Sequence, residues 1–207
     1  MLHVEVSRIT GDPLRLGDAI DHIASEGRPD VERQPGNLGA SLLAAPEAGA
    51  MGFESFWESE GSLVDSEDVI TASVREAARR TGGTVIHERY AVSVFEREAP
   101  WRNGQGVRVT RMNVEPSQLS YVEDAVAWYG DTAVPMLADT SGFCAALLYV
   151  DWASGCLISE TVWQDPHALA TSQSTTAAGE AAAARALHGM IAATGEYRLV
   201  FSSARPT

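Results

Sequence analysis

Short segments in the first half of the chain either alternate apolar with polar residues or form brief apolar runs, which are the patterns of β-strands. These segments are residues 4–10, 38–45, 52–58 and 89–96. Between the first two, Leu16, Ile20 and Ile23 follow Pro13 at helical spacing. A second helix is predicted in the Ala-rich residues 67–80, after the stretch GFESFWE. The first half therefore reads β-α-β-β-α-β, which is the ferredoxin-like order.

The second half of the chain repeats this order. With an offset of 106 residues, Glu54 and Trp57 align with Glu160 and Trp163, so that GFESFWE corresponds to ISETVWQ. Upstream the offset is 103, and VEVSRI at 4–9 corresponds to VRVTRM at 107–112. The second copy has further predicted strands at 143–150, 158–164 and 197–203, and predicted helices after Pro116 and at 177–193. A repeat of this length predicts two copies of one domain, at residues 1–98 and 106–207, joined by a linker containing Pro and Gly.

Each predicted unit needs a cover for one face of its sheet. Two helices cover one face of a four-stranded ferredoxin-like sheet, and the other face has to be buried elsewhere. We therefore predict an α+β fold in which the two tandem units pack sheet to sheet, as a barrel within one chain. The chain would then be a pseudo-dimer, and further association of two such chains as a homodimer stays open.

Matched charges occur on the predicted central strands of both halves. Arg8 and Arg111 lie on the first strands, and Glu54 and Glu160 lie on the Trp-containing strands. Because a lone buried carboxylate is unfavourable, we expect these four side chains to form a cluster between the sheets. The alternative is that they lie at strand ends and are paired with water.

The formal net charge of −13 narrows the range of partners. Such a surface repels phosphate backbones and anionic membranes, so nucleic-acid and membrane partners are not expected. No apolar run approaches the roughly 20 residues of a membrane helix, and no secretory signal is recognised at the start. With only Cys144 and Cys156, a disulfide framework is not indicated, and we expect a cytoplasmic location.

The motif WQDPHALATS, residues 163–172, together with the repeated element order, resembles the antibiotic biosynthesis monooxygenase-like branch of the dimeric α/β-barrel superfamily. The resemblance extends over both halves and implies a fused version of two chains that ordinarily pair. It implies cofactor-independent oxidation of a small aromatic or polyketide-like compound. The alternative function is a catalytically silent protein of the same fold that binds a small ligand or a partner.

Haem degradation, which also occurs in this superfamily, is not expected for this chain. Haem-degrading members combine the Trp with an Asn on the first strand and a His nine residues beyond the Trp. Here the first of these positions carries Ser7 or Thr110, and the second carries Ser66 or Ser172. Serine is a poor axial ligand for haem iron compared with imidazole. We therefore expect no cofactor, and the scattered His and Cys residues predict no metal site.

The candidate site residues are few. Aromatic residues that could line a ligand pocket between sheet and helices are Phe53, Trp57, Trp128 and Trp163. Weak candidates for a catalytic group are His22, His87 and Tyr90, and Tyr121 and His167 are further polar side chains to consider. For the tryptophans, burial in the core is the alternative role. A His or Tyr directed at an apolar cavity would favour the enzyme over the silent binding protein.

Overall fold

A computed structural model describes residues 1–186 and 189–205 of the chain, with side chains omitted at 178, 180, 183–186 and 189. The described residues form eight strands: β1 (His3–Thr10), β2 (Asn37–Ala45), β3 (Ala50–Trp57), β4 (Thr84–Arg97), β5 (Gly106–Val114), β6 (Phe143–Asp151), β7 (Cys156–Trp163) and β8 (Gly189–Ser202). Their hydrogen-bonded order is β1-β3-β2-β8-β5-β7-β6-β4, and this order closes on itself as a barrel. The pairs β1–β3, β2–β3, β2–β8, β4–β6, β5–β7 and β6–β7 are antiparallel. The predicted α+β fold built from two ferredoxin-like repeats is therefore confirmed.

The chain divides into two compact units. Unit 1 comprises residues 1–90, 101–103 and 197–207, and unit 2 comprises residues 91–100 and 104–196. Strands β4 and β8 each begin in one unit and end in the other. The domains predicted from the repeat, 1–98 and 106–207, are continuous in sequence, whereas these compact units are not.

Unit 1 contains the elements of the first repeat. Its elements are β1 (His3–Thr10), α1 (Leu16–His22), α2 (Arg28–Glu32), β2 (Asn37–Ala45), β3 (Ala50–Trp57), α3 (Glu60–Asp65), α4 (Glu67–Thr81) and the first part of β4 (Thr84–Arg97). A π-helical turn, Ile23–Gly27, connects α1 to α2. One core forms where these helices cover the sheet, and Phe53, Trp57 and Ile70 in it are fully buried.

Unit 2 repeats this arrangement. Its elements are β5 (Gly106–Val114), α5 (Val122–Trp128), α6 (Val134–Ala138), β6 (Phe143–Asp151), β7 (Cys156–Trp163), α7 (Pro166–Thr171), α8 (Gln173–Ala186) and the first part of β8 (Gly189–Ser202). A π-helical turn, Tyr129–Ala133, again follows the first helix. The core again lies between helices and sheet, and Trp163 packs edge-on against Phe143 with ring centroids 5.7 Å apart.

A glycine in the left-handed conformation lies at the turn before each Trp-containing strand. Gly49 and Gly155 have φ angles of 62° and 71°, in the left-handed region that glycine adopts without strain. A Cβ atom at Gly49 would also lie 2.2 Å from the carbonyl oxygen of Gly11. Glycine is therefore required at this turn both by conformation and by space.

The second Ala-rich helix ends earlier than predicted. The sequence pattern predicts a helix over residues 177–193, whereas α8 runs over Gln173–Ala186 and β8 already begins at Gly189. Alanines 192 and 193 belong to the strand, which lies beside β5 and then beside β2. Strand pairing over this length outweighs the helical preference of alanine, because propensity is only a weak prior.

Candidate functional site

Unit 2 contains a cavity of about 70 Å³ between its helices and its sheet. On this measure a water molecule needs roughly 10–15 Å³, so the space exceeds that of a single water. The cavity is lined by Thr110, Met112, Ala125, Trp128, Tyr129, Ala133, Met136, Leu137, Leu148, Leu157, Ser159, Thr161, Thr175, Thr176 and Gly179. Most of this wall is apolar, and hydroxyl groups supply its polar side chains.

The periodicity of strands and helices brings these residues together. Leu157, Ser159 and Thr161 alternate along β7 and therefore face the same side of the sheet. Thr175, Thr176 and Gly179 lie within about one turn of α8 and present one face of that helix. The third wall comes from α5, the π-helical turn and α6. Tyr129 and Ala133 are the first and last residues of the π-helical turn.

The cavity exists where the repeat replaces large residues by small ones. Phe53 is fully buried in the core of unit 1, and the aligned position in unit 2 carries Ser159. Ile70 is likewise fully buried in unit 1, and its counterpart is Thr176. The packing of unit 1 therefore fills space that unit 2 leaves open. The sequence analysis named a pocket between sheet and helices and Trp128 as a wall residue, but it did not find the other lining residues or assign the pocket to unit 2. The loss of volume at aligned core positions was a visible signal for both.

The hydroxyl groups of the cavity wall differ in their bonding. Trp163 Nε1 donates a hydrogen bond of 3.0 Å to Thr161 Oγ1. Thr176 Oγ1 accepts from Arg108 Nη1, and its one hydrogen is within reach of the carbonyl oxygens of Ser172 and Gln173. Tyr129 Oη donates to the carbonyl oxygen of Leu147 at 3.3 Å. No acidic or basic side chain belongs to the cavity wall in the described part of the chain.

The four aromatic residues predicted to bind ligand lie in different surroundings. Trp128 lines the cavity of unit 2. Trp163 is fully buried in the core of the same unit and does not belong to the cavity wall. Phe53 and Trp57 are fully buried in the core of unit 1. The structure thus brings one of the four to the cavity and places the other three in the hydrophobic cores.

The predicted polar candidates do not line the cavity. His22 is buried in unit 1, with Nε2 3.3 Å from the carbonyl oxygen of Ser73 and Nδ1 3.4 Å from Glu26 Oε1. His87 and Tyr90 lie on β4, where Tyr90 is buried and His87 is partly exposed. Tyr121 and His167 are exposed. Three of these five residues belong to the helices or turns of their units and two to β4.

His87 belongs to a polar cluster in unit 1. Its Nδ1 atom lies 3.1 Å from Glu5 Oε1 and 3.2 Å from Ser7 Oγ, and both partners are buried. Arg89 Nε lies 3.6 Å from Glu5 Oε2, and Arg89 Nη2 lies 2.9 Å from Glu67 Oε2. Burial lowers the pKa of Arg89, but the hydrogen bonds and charges of Glu67 and Glu5 together raise it above its ordinary value. Arg89 thus provides the opposite charge beside Glu5, which is 1% exposed.

The predicted charge cluster is wrong for Arg8. Its side chain is 43% exposed and pairs with Glu88 at 3.2 Å. In the register of β1 and β3, Arg8 lies opposite Gly52, whereas Glu54 lies opposite Val6. Glu160 is buried in unit 2 and accepts a hydrogen bond of 3.2 Å from Tyr149 Oη. Arg8 therefore pairs with Glu88 on the neighbouring strand β4 and not with Glu54.

The described residues contain neither a cluster of metal ligands nor a helix that could span a membrane. No group of three or more His, Cys, Asp or Glu side chains there is placed to hold a metal ion. Ser66 and Ser172 donate hydrogen bonds to the backbone carbonyl oxygens of Ser62 and Leu169. Among the helices of residues 1–186, none has the length and apolar character required to cross a membrane.

Sequence comparisons find relatives of unknown activity. No known family profile matches the chain. The uncharacterized protein Rv2557 of Mycobacterium tuberculosis is 25% identical over 190 residues, which are 92% of this chain and 84% of that protein. The uncharacterized protein Rv2558 of the same organism is 26% identical over 151 residues, which are 73% of this chain and 63% of that protein.

Solved structures share the fold across nearly the whole chain. An anthrone oxidase-like protein has a TM-score of 0.69 at 15% identity, covering 97% of this chain and 92% of its own. A monooxygenase-like protein from Listeria innocua has a TM-score of 0.56 at 12% identity, covering 94% and 92%. A ferredoxin-fold protein from Listeria monocytogenes, related to antibiotic biosynthesis monooxygenases, has a TM-score of 0.51 at 13% identity, covering 96% and 95%. The fold implied by the resemblance in sequence is confirmed.

Proposed function

We propose that this protein binds a small, mainly apolar aromatic compound in the cavity of unit 2. The observation that carries the proposal is the cavity itself, which has apolar walls between sheet and helices and includes Trp128 and Tyr129. Concave apolar sites with a few polar groups are the usual form of small-molecule sites. Aromatic rings in the wall favour an aromatic ligand, through offset or edge-to-face contacts.

The chemistry of the wall favours binding over acid–base catalysis. General acid–base catalysis needs a titratable group within hydrogen-bond reach of the reacting atom. Among the described residues that line the cavity, Tyr129 is the one with a titratable side chain, and its hydroxyl is bonded to the carbonyl oxygen of Leu147. The threonine and serine hydroxyls can orient a ligand, but they are too weakly acidic or basic to move a proton unaided.

Cofactor-independent oxidation is the second candidate function. It is favoured by the anthrone oxidase-like structure, whose TM-score of 0.69 is the highest of the three compared. In such a reaction an anthrone and one O₂ would give the quinone and one water, so that two C–H bonds are replaced by one C=O bond. The cavity would then have to orient the ring and exclude water from the oxidised carbon.

A pair of variants at one position tests the binding proposal. Ser159→Phe introduces the residue that fills the aligned position in unit 1, and Ser159→Ala leaves the cavity open. We expect the fluorescent tricycle 1-aminoanthracene to bind to wild type and to Ser159→Ala with similar affinity. The phenylalanine variant should bind at least tenfold more weakly while keeping its cooperative thermal unfolding. Equal binding by all three proteins would overturn the proposal.

Oxygen uptake separates the two candidate functions. Anthrone is incubated with wild type and with Ser159→Phe in an oxygen-electrode cell, and quinone formation is followed by absorbance. One O₂ consumed per quinone, at a rate that Ser159→Phe abolishes, would establish oxidation in the cavity. If wild type oxidises anthrone no faster than Ser159→Phe does, binding would be left as the function of the cavity.

A further inference from the structure

The second residue of the repeated first-strand motif changes sign of charge between the halves. Glu5 in VEVSRI aligns with Arg108 in VRVTRM. Both side chains are almost completely buried, with 1% of Glu5 and 4% of Arg108 exposed. A buried charge has to be paired, so each of these residues dictates what its neighbouring strand must carry.

In unit 1 the partners of Glu5 are Arg89, a cation, and His87, both on β4. His87 Nδ1 lies 3.1 Å from Glu5 Oε1, and Arg89 Nε lies 3.6 Å from Glu5 Oε2. Strand β4 is the hydrogen-bonded neighbour of β1. The edge of β1 in unit 1 therefore presents a buried negative charge to a strand that carries a positive one.

In unit 2 the polarity is reversed. Arg108 Nη2 donates to Glu196 Oε1 at 2.8 Å, and Glu196 lies on β8, the neighbour of β5. Arg108 also donates to Thr176 Oγ1 and, at 3.5 Å, to the carbonyl oxygen of Leu169. The edge of β5 thus presents a buried positive charge to a strand that carries a negative one.

We propose that these two pairs of opposite polarity select the partner of each strand edge: β4 for β1, and β8 for β5. Because the chain is a repeat, β4 and β8 have the same length of 14 residues and equivalent places in the repeat. Backbone hydrogen bonds alone would let either strand, from this chain or from a second copy, pair with either edge.

The reversed charges penalise each wrong pairing. With β8 on β1, Glu196 would lie next to Glu5. With β4 on β5, Arg89 would lie next to Arg108. A like charge beside a buried one is unfavourable even where it is itself partly exposed, as Glu196 and Arg89 are. Such repulsion is a general means of excluding wrong partners. The interaction surfaces are the edges of β1 and β5. The edge of β1 excludes β8, and the edge of β5 excludes β4, whether the strand comes from the same chain or from a second copy.

A charge exchange in one unit tests this proposal. The double variant Arg108→Glu/Glu196→Arg keeps an ion pair in unit 2 but gives both units the same polarity. The variant and wild type are unfolded in urea and refolded at increasing protein concentration. We expect the fraction of refolded protein that has the molar mass of native wild type to be at least twofold lower for the variant. Light scattering after size-exclusion chromatography measures this fraction. An unchanged fraction at every concentration would overturn the proposal.

An exposed ion pair on the corresponding strands of unit 1, β1 and β4, provides the control. Arg8→Glu/Glu88→Arg exchanges a pair of β1 and β4 that is partly exposed to solvent. We expect it to refold like wild type, and an equal loss in this variant would refute the selection by buried charge. Glu5→Gln is the milder second test if the double variant does not fold. A neutral residue at this edge no longer repels Glu196, so species of higher mass should increase on refolding.

Discussion

The indole N–H groups of the two buried tryptophans have partners that the repeat preserves. Trp57 Nε1 donates to Ser55 Oγ and Trp163 Nε1 donates to Thr161 Oγ1, each at 3.0 Å. The partner lies two residues before the Trp because alternate residues of a strand share one face. A hydroxyl in both repeats thus satisfies a donor that would otherwise be buried without a partner, which explains why this pattern occurs twice.

Removing this hydroxyl should destabilise the protein. In Thr161→Val the side chain keeps its shape, but the indole N–H of Trp163, which is fully buried, loses its acceptor. An unsatisfied buried donor costs about 1–3 kcal/mol, and we expect the free energy of unfolding to fall by that amount. Urea unfolding followed by tryptophan fluorescence measures it. Thr161→Ser keeps the acceptor and should lose less; equal losses would show that the hydrogen bond contributes nothing.

At the scale of secondary-structure elements, α8 contains a glycine that the helix itself does not need. Gly179 lies within Gln173–Ala186 and lines the cavity, and a Cβ atom there would meet no heavy atom within 4 Å. Glycine inside a helix is unfavourable by about 0.5–1 kcal/mol relative to alanine. Its presence is therefore explained by the space that it leaves in the cavity wall.

Gly179→Ala should raise the free energy of unfolding by about 0.5–1 kcal/mol, because it reduces the entropy of the unfolded chain without a clash. Gly49→Ala is the contrasting variant. There φ is 62° and the new Cβ would collide with the backbone of Gly11, so stability should fall by more than about 1 kcal/mol. Chemical denaturation of both variants checks this, and stabilisation by Gly49→Ala would contradict it.

The sequence was most informative for elements and least informative for single contacts. Alternation around Trp57 and Trp163 and the helical stripe of Leu16 predicted strands and helices correctly, because burial enforces these periods. The predicted end of α8 was wrong because the helical preference of Ala192 and Ala193 is only a weak prior, which strand pairing outweighs. Arg8 was placed in a buried cluster, although its pairing with Glu88 depends on a strand 80 residues away. Predicting that the cavity lies in unit 2 would have required a comparison of side-chain volumes at the aligned core positions of the two repeats.

At the scale of the whole chain, the two halves have kept one fold and specialised differently. Unit 1 fills its core with Phe53 and Ile70 and pairs the buried Glu5 with His87 and Arg89. Unit 2 has small residues at the aligned core positions, a cavity, and the opposite charge at Arg108. Duplication allows this division because each unit has its own core between helices and sheet.

The two units should therefore lose unequal amounts of stability when one aligned residue is exchanged. Phe53→Ser removes a ring from a filled core and should lower the free energy of unfolding by about 3–5 kcal/mol, the range for deletion of a buried aromatic ring. Ser159→Phe places the same ring in unit 2, where space exists, and should cost less than about 1.5 kcal/mol. Urea unfolding of both variants measures the difference. Costs of equal size would mean that unit 2 is packed as tightly as unit 1, and the cavity would lose its role as a ligand site.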